Sequence, residues 1–287
     1  MTDGAPHNFP LSEAAVLIVA HGSPHSPGGS SATRRHAQNL TNMKIFGKVA
    51  VGFLTEKPFV ADVLKDLDAS QIYIVPNLVT TGYIFQKKIP IALGLTGSIT
   101  ERITPKGHQR LILTDPVGTH PFITRIMAET VQASATDLDI NLDDTALFVI
   151  GHGSEKSRAS YIQTAKVAAE MALFGLGELS RKKAIFTAFL EEVPYVHDWR
   201  AVTDARTIIF APYLISDGFH AHRDIPLAIG FDPNDEGFQS NLRARKASET
   251  SKEGTRLVYL APIGTAPGVV DIMYALVKQA RYSLMDR

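Results

Sequence analysis

FLTEKPFVADVLKDLDASQIYIVPNLVTTGYIFQKKIP, residues 53–90, recurs later in the same chain as FLEEVPYVHDWRAVTDARTIIFAPYLISDGFHAHRDIP, residues 189–226. The two segments align without a gap, 136 residues apart (189 minus 53), and 14 of the 38 positions are identical. The shared residues are conformational types: Pro58 with Pro194, Pro76 with Pro212, Gly82 with Gly218, and Ile89-Pro90 with Ile225-Pro226. The differences are chemical, since the second copy carries Glu191 opposite Thr55 and His220 opposite Ile84.

The repeat extends in both directions. LIVAHGS (Leu17 to Ser23) matches FVIGHGS (Phe148 to Ser154), and RLILTDPVGTHP (Arg110 to Pro121) matches RLVYLAPIGTAP (Arg256 to Pro267). Solenoid periods are far shorter than half a chain, so this is a duplicated domain. The repeat predicts two similar lobes, 1–142 and 143–287, each of ordinary domain size.

Short apolar runs rich in β-branched residues and bounded by turn residues predict buried parallel strands. In the first half these are Ala15 to Ala20, Val49 to Leu54, Ile72 to Val75 and Leu111 to Thr114. Their counterparts are Ala146 to Gly151, Ala184 to Leu190, Thr207 to Phe210 and Leu257 to Leu260. Between them, Pro58 to Asp68 and Tyr161 to Phe174 have helical spacing, and Pro58, Pro194, Pro121 and Pro267 stand where first-turn prolines belong. The expected fold is α/β, two doubly wound lobes, each with a four-stranded parallel sheet flanked by helices. Such sheets bind ligands at the carboxyl ends of their strands, and two lobes offer a cleft between them. Residues 233–255 are polar and without clear periodicity, and read as a long mobile loop or lid.

The chain is 45% hydrophobic and 20% charged, with a formal net charge of zero. That balance gives no support to nucleic-acid or polybasic membrane binding. The absence of cysteine rules out disulfides, thiolate metal sites and cysteine-ligated clusters. MTDGAPHNFPLSE at the start has neither a basic n-region nor an apolar h-region, and no apolar run approaches a membrane span, so the cytoplasm is the expected compartment.

His152 follows the first strand of the second half, Glu191 closes the second, and His220 comes shortly after the third, so all three leave one edge of one sheet. Two imidazoles and a carboxylate at such an edge suit iron(II), cobalt(II), nickel(II) or zinc(II), and equally suit proton transfer. HGS after the first strand, FLE after the second, and P-x-L-x-x-x-G-x-H-x-x-x-D-I-P later resemble the class II tetrapyrrole chelatases. The likeness is greatest to their sirohydrochlorin cobaltochelatase and ferrochelatase group. The resemblance covers nearly all of both halves and implies a lyase that inserts cobalt or iron into sirohydrochlorin or a related tetrapyrrole, in cobalamin or siroheme biosynthesis. It implies His152, His220 and Glu191 as the catalytic and metal-receiving set, Asp224-Ile225-Pro226 as the closing motif, and no organic cofactor, the divalent metal being a substrate. The implied partners are a tetrapyrrole and a metal ion, without nucleic acid or membrane, in a monomer or homodimer. A non-catalytic tetrapyrrole or metal carrier is the alternative function. A small-molecule enzyme or sensor on a periplasmic-binding-like scaffold is a third.

The chain departs from the family pattern in two ways. The first half keeps His21 but lacks the other ligands, so the active set falls in the C-terminal half, whereas long family members often carry it in the N-terminal half. The frequent HGSR reads HGSEKSR, with Glu155 in the arginine's usual place and Arg158 further on. Lys156, Arg158, Arg223, Lys87 and Lys88 are candidates for substrate carboxylates. Glu192 competes with Glu191 as the relevant carboxylate, His222 is a candidate supporting group, His120 a candidate from the first lobe, and His197 reads as plain surface.

Overall fold

The computed structural model describes residues 9–24, 26, 28–154, 157–174, 176, 179 and 184–285. They fall into two compact units, Met1–His120 with Pro267–Arg287, and Pro121–Ala266. The first holds strands β1 (Ala15–Ala20), β2 (Lys48–Phe53), β3 (Gln71–Pro76), β4 (Ile99–Thr104) and β5 (Gly107–Leu113), in the order β2-β1-β3-β5-β4. The second repeats the plan with β6 (Thr145–Gly151), β7 (Ile185–Phe189), β8 (Thr207–Pro212), β9 (Ser248–Lys252) and β10 (Thr255–Tyr259), in the order β7-β6-β8-β10-β9. AVLIVA of β1 and TALFVIG of β6 are buried at every position, as central strands covered on both faces must be.

Each sheet has five strands where four were expected. The parallel four are those read from the sequence, and the fifth, β4 or β9, runs antiparallel at the edge. ITERIT and SETSK each bury a single position, Thr100 and Ser248, and carry no apolar run. Their charges pair across to the neighbouring strand, Glu101 with Arg110 and Glu249 with Arg256. Charge of this kind also protects an exposed sheet edge from further pairing.

Residues 233–255 are ordered secondary structure and no loose lid. Asp235 caps a helix, Glu236–Arg243, by accepting the Phe238 N–H at 2.6 Å, and the helix buries Phe238 and Leu242. The β9–β10 hairpin follows. The helices expected over Pro58 to Asp68 and Tyr161 to Phe174 are Val60–Asp66 and Ala159–Met171. Pro121 opens the helix Pro121–Asp137. Pro58 and Pro194 instead lie in the strand-end loops, where their carbonyls accept the Phe53 and Phe189 N–H groups at 2.9 Å. After Pro194 the chain makes a 3-10 helix, Val196–Ala201, in place of the α-helix of the first copy.

The compact units are drawn differently from the 1–142 and 143–287 halves of the repeat. The helix that ends the first copy, Pro121–Asp137, buries Ile123, Met127 and Val131 and packs on β8 and the helix Ala159–Met171 of the second unit. The helix that ends the second copy, Val269–Met285, packs on β3 and the helix Ser31–Asn42 of the first unit, burying Ile272, Met273 and Val277. Each unit is thus completed by the other copy's last helix. Among the described residues no helix is long and apolar enough to cross a membrane.

Gly118 and Gly264 stand at equivalent turns after β5 and β10, donating to the Leu78 and Leu214 carbonyls at 2.8 and 2.9 Å. A methyl group at either would overlap backbone, that of Val79 or of Ile215. Gly264→Ala should therefore destabilise the protein by about 3 kcal/mol, at the upper end of overpacking costs, as read by urea unfolding. A variant as stable as wild type would show that this contact is looser than described.

Candidate active site

In an open sheet of this order, the first and third strands lie side by side and their outgoing loops part company, which leaves a crevice at their carboxyl ends. In the second unit that switch point lies between β6 and β8, and the candidate histidines come from the segments that leave those two strands. The β6 segment makes a tight turn through Gly153, whose φ of 83° and close approach to Glu192 (3.0 Å from a would-be Cβ) admit only glycine. Backbone bonds sew it to its neighbours. Tyr213 N–H donates to Ile150 O at 2.8 Å and Glu191 N–H to His152 O at 2.9 Å.

His220 opens a π-helical turn, His220–Asp224, that runs into the short helix Ile225–Ile229 with Pro226 in its first turn. The turn brings His220 to His152, with their Nε2 atoms 3.2 Å apart and the rings 83° from coplanar. The other ring nitrogens are engaged. His152 Nδ1 lies 2.9 Å from Gly153 O, which can only accept, so this nitrogen carries the proton. His220 Nδ1 lies 2.8 Å from Asp224 Oδ2. Partial burial works to raise the Asp224 carboxyl, but hydrogen bonds from Arg223 and His220, reinforced by their charges, outweigh it and hold the group below its usual range. Asp224 is thus an ionised acceptor, and His220 also carries its proton on Nδ1.

With the protons on Nδ1, a ring in its neutral form leaves its Nε2 unprotonated, and the two Nε2 atoms lie 3.2 Å apart. Such a pair is satisfied only by something positive between them, a proton or a metal ion. Two nitrogens bound to a tetrahedral ion at about 2.0–2.1 Å would be roughly 3.3 Å apart, close to the spacing seen. The His152 and His220 side chains are 36% and 46% exposed, so the pair is open to solutes.

Glu191 does not join them between the Nε2 atoms. Its Oε2 lies 3.6 Å from His152 Nδ1, on the far side of that ring, and its side chain is 53% exposed. Among the described residues no group of three or more His, Asp or Glu side chains is arranged to hold an ion. Glu192 is scaffold, accepting the Ser154 N–H at 3.2 Å as Glu56 accepts that of Ser23 at 2.8 Å. The first unit repeats the turn, with Gly22 at φ 87° and His21 Nδ1 3.0 Å from Gly22 O, but Ile84 stands in the place of His220.

His222 is held by Gln239, its Nδ1 2.8 Å from Oε1. His120 is buried in the first unit beside Gln279, and burial pushes its pKa down. His197 is exposed, stacked on Tyr195 and paired with Asp198. Arg158 lies over the Tyr161 ring, Arg223 pairs with Asp224 and lies over Phe219, and Lys87 and Lys88 are exposed in the first unit's own π turn. Lys156 and Glu155 lie outside the described residues. Sequence reasoning passed over Asp224 as an individual group, although its counterpart, Lys88, is of opposite charge.

The depressed Asp224 carboxyl has a consequence for stability. The unfolded chain, titrating near pH 3.9, takes up this proton before the folded one does. The group's stabilisation is therefore complete above roughly pH 5 and is lost as pH falls through the folded value. In urea titrations the stability gap between wild type and Asp224→Asn should narrow from pH 5 to pH 3, and a gap that stays constant would contradict this account.

Comparison with known proteins agrees with the duplicated plan. The CbiX family model matches the chain twice, over residues 15–134 and 146–280. The probable sirohydrochlorin cobaltochelatase of Halobacterium salinarum is 28% identical over 276 residues, 90% of this chain and 89% of that one. Among solved structures, CbiX, the terminal enzyme for biosynthesis of siroheme in denitrifying bacteria, is 24% identical, with a TM-score of 0.60 over 93% of this chain and 99% of its own. The sirohydrochlorin chelatase SirB from Bacillus subtilis subspecies spizizenii, in complex with cobalt, is 16% identical, with a TM-score of 0.62 over 94% and 96%. At those identities the structures speak for the fold, whereas the family model matches both copies across most of the chain: this protein belongs to the CbiX family.

Proposed function

We propose that the protein is a metal chelatase that inserts cobalt(II) or iron(II) into sirohydrochlorin or a closely related tetrapyrrole, in cobalamin or siroheme biosynthesis in the cytoplasm. The observation that carries this reading is the approach of the His152 and His220 Nε2 atoms, 3.2 Å apart on side chains that are 36% and 46% exposed. Family membership and the cobaltochelatase relative support it.

The reaction exchanges one divalent ion for two pyrrole N–H protons. A site for it must hold a partly dehydrated cation and then accept protons as the cation leaves. Neutral imidazole does both near physiological pH, which lysine does not without a large pKa shift. His152 and His220 receive the ion through Nε2, and as it passes to the macrocycle the freed lone pairs take the pyrrole protons. Asp224 keeps the His220 proton on Nδ1 and balances the charge that appears on the ring. Glu191, beside His152 Nδ1 and exposed, balances charge on the other ring and passes protons to solvent. Within the second unit, Arg223 and Arg158 are the cationic candidates for substrate carboxylates.

Purified protein mixed with sirohydrochlorin and cobalt(II) or iron(II) should show the absorption change of insertion above the spontaneous rate. His220→Ala should abolish that acceleration and His21→Ala should leave it largely intact, because His21 has no partner imidazole opposite. Binding of tetrapyrrole without acceleration would replace the enzyme by a carrier, and equal loss in the two variants would refute a site confined to the second copy. Asp224→Asn should lower the rate by about 10- to 100-fold, the usual cost of losing a group that orients a metal-binding histidine. A rate within twofold of wild type would remove Asp224 from the mechanism.

A further inference from the structure

We propose that the segment 231–247, which stands where the first copy has only the short link 95–97, braces the turn that carries His220, and that Gln239 and Tyr259 are positioning residues for the metal-receiving pair. This inference rests on the function proposed above. In the first copy residues 95–97 join Gly94 to Ser98. At the same place in the second copy residues 231–247 join Gly230 to Ser248 and include the helix Glu236–Arg243.

That helix reaches the π turn by two routes. Gln239 grips it by two hydrogen bonds, Oε1 2.8 Å from His222 Nδ1 and Nε2 donating to His222 O at 2.9 Å, while Nε2 also donates to Pro233 O at 2.9 Å within the added segment. Phe238 packs on Tyr259 and Phe231, with ring centroids 5.8 and 5.3 Å away. Tyr259, fully buried, donates its hydroxyl to Ala221 O at 2.9 Å, and burial raises its pKa well above the usual value, so it stays a donor. Two successive residues after His220 are thus pinned, Ala221 from β10 and His222 from the added helix.

The first copy makes the same π turn over Ile84–Lys88 without these parts. Leu113 stands where Tyr259 does, since Leu113 pairs with Ile74 as Tyr259 pairs with Phe210, and a leucine donates nothing. The turn therefore forms without the brace. The brace is found in the copy in which a side chain on that turn must meet another at a set distance, and a working constellation tolerates displacements of only about 0.5 Å.

Cobalt(II) titrations of the full-length protein, followed by the visible ligand-field bands, test this. Gln239→Ala and Tyr259→Phe are each expected to weaken cobalt binding about tenfold and to alter the bands, by analogy with other groups that orient metal ligands from behind. Gln239→Glu, which keeps an acceptor for His222, should recover part of the loss. Gly118→Ala, destabilised in the other unit, should bind cobalt as wild type does. Wild-type affinity and bands in both Gln239→Ala and Tyr259→Phe would overturn the brace, as would equal weakening in Gly118→Ala. A wild-type cobalt spectrum that does not depend on His220 would overturn the proposed function and the brace together. A spectrum dependent on His220 but indifferent to Gln239 and Tyr259 would overturn the brace alone.

Discussion

Two imidazole Nε2 atoms 3.2 Å apart, both unprotonated when the rings are neutral, make an unfavourable arrangement, and the hydrogen bonds of the second unit hold them in it. Each ring is turned by a bond on its far nitrogen, to a carbonyl for His152 and to a carboxylate for His220. Neither acceptor can give a proton back while Asp224 is ionised, so the unprotonated nitrogens are left toward each other and toward solvent. The favourable way out of that conflict is a cation, whether a proton or a divalent metal. An arrangement that either one can satisfy is suited to exchanging one for the other, which is the exchange the proposed reaction requires.

The scaffold supplies this conflict from ordinary parts. The switch between β6 and β8 opens a crevice, a left-handed glycine turns the chain at His152, and a π turn delivers His220 from the other side. Every one of these parts also exists in the first unit, down to the glutamate that accepts the N–H of the turn serine. What the first unit lacks is His220, Asp224, Glu191 and Tyr259, replaced by Ile84, Lys88, Thr55 and Leu113. The duplicate therefore separates what the fold needs from what the proposed chemistry adds. The exchange of the last helices ties the two copies together all the same, because each sheet is covered by a helix encoded in the other copy.

The repeat and the central strands were legible because buried parallel strands are continuous apolar runs, and β1 was read to the residue. The edge strands were not, because ITERIT and SETSK are half exposed and owe their conformation to pairing with β5 and β10. The helix Glu236–Arg243 was hidden in a polar stretch, although Asp235 as a cap and Phe238 and Leu242 four apart were its signals. At the site, difference between the copies singled out His220 and Glu191, of which only His220 meets His152 through Nε2, and passed over Asp224, which looked like part of a family motif. The Nε2 pairing itself was beyond sequence, since it depends on which ring nitrogen each backbone and carboxylate partner takes. His152, whose sister His21 is also present, gained its case only when the structure placed His220 against it.

The protonation pattern of that pair is read directly by nitrogen NMR of histidine-labelled protein. At mildly alkaline pH without metal, His152 and His220 should both be Nδ1–H tautomers, and one equivalent of zinc(II) should shift both Nε2 resonances while leaving His21 unchanged. An Nε2–H tautomer at either ring, or a zinc shift confined to one of them, would contradict the proposed site.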